Sequence, residues 1–423
     1  MSDRPLPAPF WAIVTLPFGL AAGFAGIAVP FGLRARGLSM TTIGTVSFVS
    51  QLPHIFKLLW SPALDSGPRR RSWFLASVVA TAAALAGAVF LAPDLGAHVG
   101  PLPALWAYTA VLFASQAGAA TCGSAVIALI AVTVPSERRG RAAGWQTAGN
   151  LVGTSAGGAL VVWMFSHLSP AMTAATTAGI CLVCAGPALW TNEVPPPKRP
   201  ALLLVLELVR EIGRTLRSRA GWTGLLICLS PVGAGALTNL FGALARDYAP
   251  DADSSERLVI VVTGTLGGLV NAAGSLAGGY LADRYPRRLA YVVFGGMTAV
   301  CAGAMAAGPA TAGAFTAGCL AYQFTNGLAY AAFYAFVFDL VGSQEGVTTQ
   351  LSLFAGASNL AITYVTWLDG WAYDRLKEAL PGQAWAGRGG MLGMDALATF
   401  LGIGALWGVM AYARRTAPQA SGP

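Results

Sequence analysis

Residues 10–32, FWAIVTLPFGLAAGFAGIAVPFG, contain no charged side chain. A helix needs about 20 apolar residues to cross the hydrocarbon of a bilayer. Comparable runs recur near 41–64, 73–92, 103–133, 142–165, 170–190, 221–244, 258–282, 289–308, 313–340, 350–369 and 391–413. Twelve such runs leave little chain for anything else. In lipid every backbone polar group must be satisfied internally, so the expectation is an all-α integral membrane protein. Only 10% of the residues are charged, against about 25% in an ordinary soluble domain. That is too little charge for a water-exposed surface. It excludes a disordered chain, a nucleic-acid-binding domain and a conventional soluble enzyme. The first run has only Arg4 ahead of it and continues for a full span. It therefore reads as a retained helix rather than a cleaved leader.

The basic residues sort by side. With the N-terminus inside, the inner segments carry 18 Lys and Arg residues and the outer loops 7, with Lys57 left inside a span. That bias predicts both termini in the cytoplasm, and for a bacterial chain the inner membrane. The net charge of +8 then needs no nucleic-acid partner. Residues 191–220 form the longest inner connection. It opens on Pro195, Pro196 and Pro197 and continues as ALLLVLELVREIGRTLRSR. The apolar run is too short to span, so an amphipathic helix lying on the inner surface is expected. The chain thereby divides into residues 1–190, a linker at 191–220, and residues 221–423, with six spans in each half.

The halves repeat. DSGPRRRSW from Asp65 matches DRYPRRLAY from Asp283 at an offset of 218, and Phe31, Gly32 and Arg36 match Phe241, Gly242 and Arg246 at an offset of 210. A six-plus-six repeat is a common layout of secondary transporters, with the solute site between the halves.

GGYLADRYPRR (Gly278 to Arg288) resembles the loop signature between the second and third helices of each half in the major facilitator superfamily. LPHIFKLLWSPALD (Leu52 to Asp65), ERRGRAAGWQTAGNLVG (Glu137 to Gly153) and TTQLSLFAGASNLA (Thr348 to Ala361) are similar to segments of AmpG-like muropeptide permeases and the related peptide–acetyl-CoA–drug transporters. The resemblance implies alternating-access uptake of an amphiphilic solute such as a muropeptide, driven by protons, by a monomer without a cofactor. Siderophore, drug and acyl-CoA carriers are also similar and stay open as alternatives. From other classes, a membrane enzyme and a non-transporting receptor remain to be weighed.

Candidate solute-binding residues are the polar groups inside spans, because burying them in lipid is costly. Gln51, His54 and Lys57 recur every three residues on one helix face. For Lys57 the plainer reading is a side chain snorkelling to the inner interface. Gln116, Gln146, Asn150, Asn239, Asn271, Gln323, Asn326 and Asn359 follow, and the plainer reading of each is a helix-to-helix bond. Asn239, Gln323, Asn326 and Tyr330 are placed best for solute by the resemblance. For proton coupling or gating the candidates are Asp65, Asp283, Arg287, Arg288 and Asp339. No carboxylate is expected centrally, since Asp65, Asp283, Asp339, Asp369 and Asp395 all fall near predicted span ends, so facilitated or otherwise coupled transport stays open.

Other motifs carry less. GTSAG (Gly153 to Gly157) fits a nucleophile-elbow pattern but sits in an apolar helix, where close packing by small residues is expected. The six cysteines fall in apolar stretches, so neither a disulfide framework nor metal binding is expected from the Cys181–Cys184 pair. The three histidines are scattered, and no Walker loop or zinc spacing occurs. These absences predict neither an enzyme nor an ATP-driven pump.

Overall fold

Apolar stretches that must satisfy their own backbone become helices, and the described residues contain no strand. The structure is a computed structural model, described for residues 6–92, 102–195, 200–249, 251–341 and 347–415. Arg4, His98, Pro196, Pro197, Lys198 and Arg199 lie outside these residues.

Fourteen helices are described: α1 Ala8–Ala35, α2 Met40–Phe56, α3 Arg70–Leu91, α4 Leu102–Thr133, α5 Ser136–His167, α6 Pro170–Ala185, α7 Ala201–Arg217, α8 Arg219–Cys228, α9 Phe241–Tyr248, α10 Ala252–Arg284, α11 Arg287–Ala307, α12 Ala312–Val341, α13 Val347–Ala379 and α14 Ala386–Arg415. Eight helical stretches are long and apolar enough to cross a membrane on those grounds alone. With α2, the α8–α9 pair, α12 and α13 they make the twelve crossing segments of two six-helix halves. An even number of crossings puts both termini on one face of the bundle. The opposite face is called distal below.

Short polar side chains start several helices. Ser39 accepts from the Thr42 N–H at 3.2 Å, Ser218 from Gly221 at 2.9 Å and Asp251 from Ser254 at 2.7 Å, each satisfying a donor the helix leaves free. Glu193 does the same for α3 from a distance. Its carboxylate accepts the N–H groups of Arg70 and Arg71 at 2.9 and 3.0 Å, and pairs with the Arg70 guanidinium at 3.3 Å.

Glycine sets the helix spacing. A Cβ on Gly153 would lie 2.9 Å from Gly19 Cα, and one on Gly149 2.2 Å from the Ala12 carbonyl oxygen, so α1 and α5 touch backbone to backbone. GTSAG belongs to this contact. Its Ser155 faces α10, where a Cβ on Gly268 would fall 2.1 Å from Ser155 Oγ. The serine is packed between halves, with no nucleophile-elbow geometry around it.

Three expected spans differ in detail. The second, read as 41–64, is helical only to Phe56 and continues as 3-10 turns at Lys57–Leu59 and Ser61–Asp65. Pro53 and Pro62 each lack a backbone N–H, and Ser61 Oγ takes up the Lys57 carbonyl at 2.7 Å. The eleventh, read as ending at 369, continues to Ala379. Hydropathy reports how much of a helix is apolar, and the Arg375–Glu378 pair at 3.4 Å continues the helix beyond that stretch. The seventh, read as one helix over 221–244, is broken in the middle.

Candidate functional site

The break separates α8 from α9. Between them the chain passes Pro231, then Gly233 and Gly235 with φ of 62° and 68°, then a 3-10 turn at Ala236–Asn239. Non-helical backbone at membrane depth survives only where protein or a cavity satisfies it. Here protein does. The Tyr364 hydroxyl donates to the Leu229 carbonyl at 2.8 Å, Tyr291 to Val232 at 2.7 Å, and Thr366 to Ala236 at 3.3 Å. Gly235 is required twice over: its φ is left-handed, and a Cβ there would meet Asn326 Nδ2 at 1.9 Å.

Around the break lies a group of amides. Asn271 donates to Gln323 Oε1 at 3.0 Å and to Asn326 Oδ1 at 3.4 Å. Asn326 is buried, and its Nδ2 has no acceptor among the described residues. Asn239 donates to Thr366 Oγ1 at 3.3 Å, and its Oδ1 lies 3.1 Å from where a Gly26 Cβ would stand. It therefore sits between the halves, against the widened π-turn Phe24–Ala28 of α1. Tyr330 lines a small cavity with Ser230, Gly233 and Tyr291. Asn239, Asn271, Gln323, Asn326 and Tyr330 are thus brought together.

The first-half candidates form a second group. His54 Nε2 meets Gln116 Oε1 at 3.0 Å, and the Gln116 amide donates to the Ala21 carbonyl at 3.0 Å. This buried chain ties α2, α4 and α1. Asn359 of α13 donates across the halves to the His54 carbonyl at 3.3 Å. Lys57 lies close enough to His54 for their charges to interact. The Lys57 ammonium has no hydrogen bond or ion pair among the described residues, and it is absent from the buried groups left without a partner. Gln51, Gln146 and Asn150 are half-buried, and Asn150 accepts from Thr154 at 3.4 Å.

The gating candidates divide. Asp283 is 76% exposed and pairs one turn on with Arg287 at 3.6 Å, while Arg288 lies over the Phe336 ring at 5.6 Å. Exposed pairs of this kind contribute about 0.5 kcal/mol. The side chains of Asp65 and Asp339 lie outside the described residues. The expectation that every carboxylate sits near a span end is corrected by Asp369 and Asp395. They are 0% and 3% exposed, ten residues before the end of α13 and nine after the start of α14. Tyr322 of α12 meets both Asp395 oxygens at 3.3 and 3.2 Å.

Sequence reasoning also missed the distal closure. Arg34 of α1 pairs with Asp247 of α9 at 3.3 Å, bonds to the Tyr373 hydroxyl and lies over that ring at 4.8 Å. Asp374 of α13 accepts from Thr41 N at 2.6 Å, Thr41 Oγ1 at 2.7 Å and Met40 N at 3.2 Å, so it seats on the N-terminus of α2. Trp367 donates to Thr45 Oγ1 at 3.2 Å. Both halves meet in every one of these contacts. The only sequence signal was the echo of Arg36 and Arg246. In the structure Arg36 turns back to the Gly32 carbonyl at 3.3 Å, and Arg246 lies over Phe31 at 5.2 Å.

A discontinuous helix facing buried amides at the junction of two six-helix halves, closed on one face, can hold a solute and release it by rocking. Known proteins share the fold. A bacterial homologue of the human lysosomal transporter Spinster, solved inward-facing and unoccupied, superposes with a TM-score of 0.65 at 15% identity, covering 97% of this chain and 98% of that one. A D-xylose–proton symporter gives 0.71 at 14% identity, covering 95% and 96%. The nucleoside transporter NupG, solved as a point mutant, gives 0.71 at 13%, covering 95% and 98%. No curated protein sequence matches the chain. Residues 11–366 match the Major Facilitator Superfamily family description. The chain therefore belongs to the Major Facilitator Superfamily, and it is a multi-pass membrane transporter rather than an enzyme.

Proposed function

We propose that the chain is a secondary active transporter of the inner membrane that takes up an amphiphilic solute such as a muropeptide, driven by protons. Both termini face the cytoplasm, residues 1–190 and 221–423 are the two moving halves, and residues 191–220 link them. The distal face is then the outside. The observation that carries this reading is the break between α8 and α9, with its amide group facing α1 of the other half. Backbone and amide groups recognise hydroxyls and peptide bonds, the polar chemistry of a glycopeptide. Lys57 supplies a cationic contact for a carboxylate. The three segments similar to AmpG-like permeases support the same solute class.

In this reading Arg34–Asp247 and Asp374 at the N-terminus of α2 hold the outside closed while solute leaves inward. The amphipathic α7, with Leu203, Leu206 and Val209 exposed, lies on the inner leaflet. Purified protein is screened for thermal stabilisation by anhydromuropeptides, siderophores and CoA esters. Stabilisation by anhydromuropeptide, followed by saturable uptake into proteoliposomes under an inward proton gradient, is the expected result. Stabilisation by a siderophore or CoA ester alone, or uptake indifferent to a protonophore, rejects the solute class or the coupling respectively.

A further inference from the structure

Asp369 and Asp395 stand out because neither serves the solute-facing group or the distal closure. Three helices bring one residue each to the same level. Tyr322 is ten residues into α12, Asp395 nine into α14, and Asp369 ten from the end of α13. At 1.5 Å per residue each lies about 15 Å below the distal helix ends.

The pair is not a solvated acidic patch. Both Asp369 oxygens are buried and have no hydrogen-bond partner among the described residues. Asp369 lies close enough to Asp395 for their charges to interact, and the Tyr322 hydroxyl donates to Asp395 alone. One hydroxyl proton is therefore the only donor described at four carboxyl oxygens. A buried carboxylate with no donor and a like charge beside it is expensive, and sharing a proton removes most of that cost.

Among the described residues no cation offsets the pair. Of the charged and titratable groups on neighbouring elements, Asp247 pairs with Arg34, and Asp374 seats on α2. Tyr364 caps the Leu229 carbonyl, Arg388 lies over the Tyr248 ring at 5.4 Å, and His54 bonds to Gln116. Arg246 covers Phe31, and Tyr373 takes the Arg34 guanidinium. Arg388 is also two turns from Asp395 along α14, about 10 Å.

The location is adjacent to the solute-facing group. Tyr322 precedes Gln323, and Asp369 is one turn from Thr366, which holds Asn239 and the Ala236 carbonyl. The Tyr322 ring packs edge-on against Phe241 at 5.3 Å, where α9 begins.

We propose that Asp369 and the Tyr322-bonded Asp395 form a proton-binding site in which the two buried carboxyls share one exchangeable proton at neutral pH. Loss of that proton leaves two adjacent buried charges, whose repulsion disturbs α12 and α13 where they grip the broken helix. The site thereby links proton occupancy to the solute-facing backbone. This deepens the proton-driven reading given above, but the proton itself is measurable without any solute.

The test is a pH titration of the purified protein by infrared difference spectroscopy in detergent, with sodium varied separately. The expected result is a protonated-carboxyl band at neutral pH that bleaches as pH rises. The band is lost in Asp369→Asn and in Asp395→Asn, and retained in Asp374→Asn. Tyr322→Phe keeps the band and moves its titration, so the proposal stays testable if either Asn variant misfolds. Absence of the band at neutral pH overturns the proposal, as does a band that survives both Asn variants. A band displaced by sodium at fixed pH also overturns it, in favour of a metal-cation site. An infrared titration as expected with no solute found in the stabilisation screen counts against the proposed solute classes alone. Proton-driven uptake with no such band counts against the pair alone.

Discussion

A single missing Cβ decides how close the broken helix comes to the amide group. Gly235 has a left-handed φ of 68°, and a Cβ would overlap Asn326 Nδ2. Gly235→Ala therefore adds backbone strain of about 1–3 kcal/mol to a steric clash with a buried side chain. A clear fall in melting temperature is expected, together with weaker stabilisation by whatever solute the screen identifies. Gly279 is the control: it has open space around its Cα, and Gly279→Ala should leave both measurements unchanged. Equal behaviour of the two variants would reject the strained-break account. Lys57 is the other residue whose environment poses a question. It has no described partner, so Lys57→Ala removes a charge without orphaning one. Uptake is expected to vanish while membrane abundance on immunoblots stays unchanged. Normal uptake by this variant rejects the solute contact and leaves a snorkelling side chain.

Helix α13 connects the two halves along much of the length of α2. It carries Asn359 against His54 near one end and Asp374 against Met40 and Thr41 at the other. A carboxylate at a helix N-terminus, receiving two N–H bonds and a hydroxyl, contributes about 1.5–3 kcal/mol. Asp374→Ala should therefore shift the molecule away from the distally closed state. A cysteine at Thr45 should react faster with a membrane-impermeant maleimide in that variant than in its absence, and an unchanged rate would sink the closure role.

This contact also shows what could be read from sequence. The apolar runs gave twelve crossings because membrane thickness imposes a length that hydropathy detects. The broken seventh span was not read, although Pro231, Gly233 and Gly235 lie within five residues. Glycine and proline are common in membrane helices, so their density alone did not separate a bend from an unwound turn. The amides were legible because they are rare in lipid. Asp374 and Asp369 were not, because the polar residues after 369 imitate a helix leaving the membrane. Arg34 and Asp247 are 213 positions apart, and no local pattern pairs residues at that distance.

At the scale of the molecule, the question is whether the halves rock as bodies about the central site. The distal contacts are between halves throughout, while close glycine packing holds α1 to α5 within the first half. Opening the distal face would have to break those polar contacts and also part the close Gly44–Trp367 and Gly370–Met40 packing between α2 and α13. A reversible cross-link across the distal face tests this directly. A Cβ on Gly44 would lie 3.2 Å from Trp367 Cα, which brings a Gly44→Cys, Trp367→Cys pair within disulfide reach. Cys122, Cys181, Cys228 and Cys319 are buried, which limits competing oxidation. In proteoliposomes the oxidised double variant is expected to lose solute flux, and reductant should restore it. The oxidised protein should still be stabilised by solute if, as the proposed cycle requires, solute reaches the site from the termini face. Flux that persists in the fully cross-linked protein would mean that solute passes without the distal face opening, and alternation between two closed faces would then be rejected for this chain.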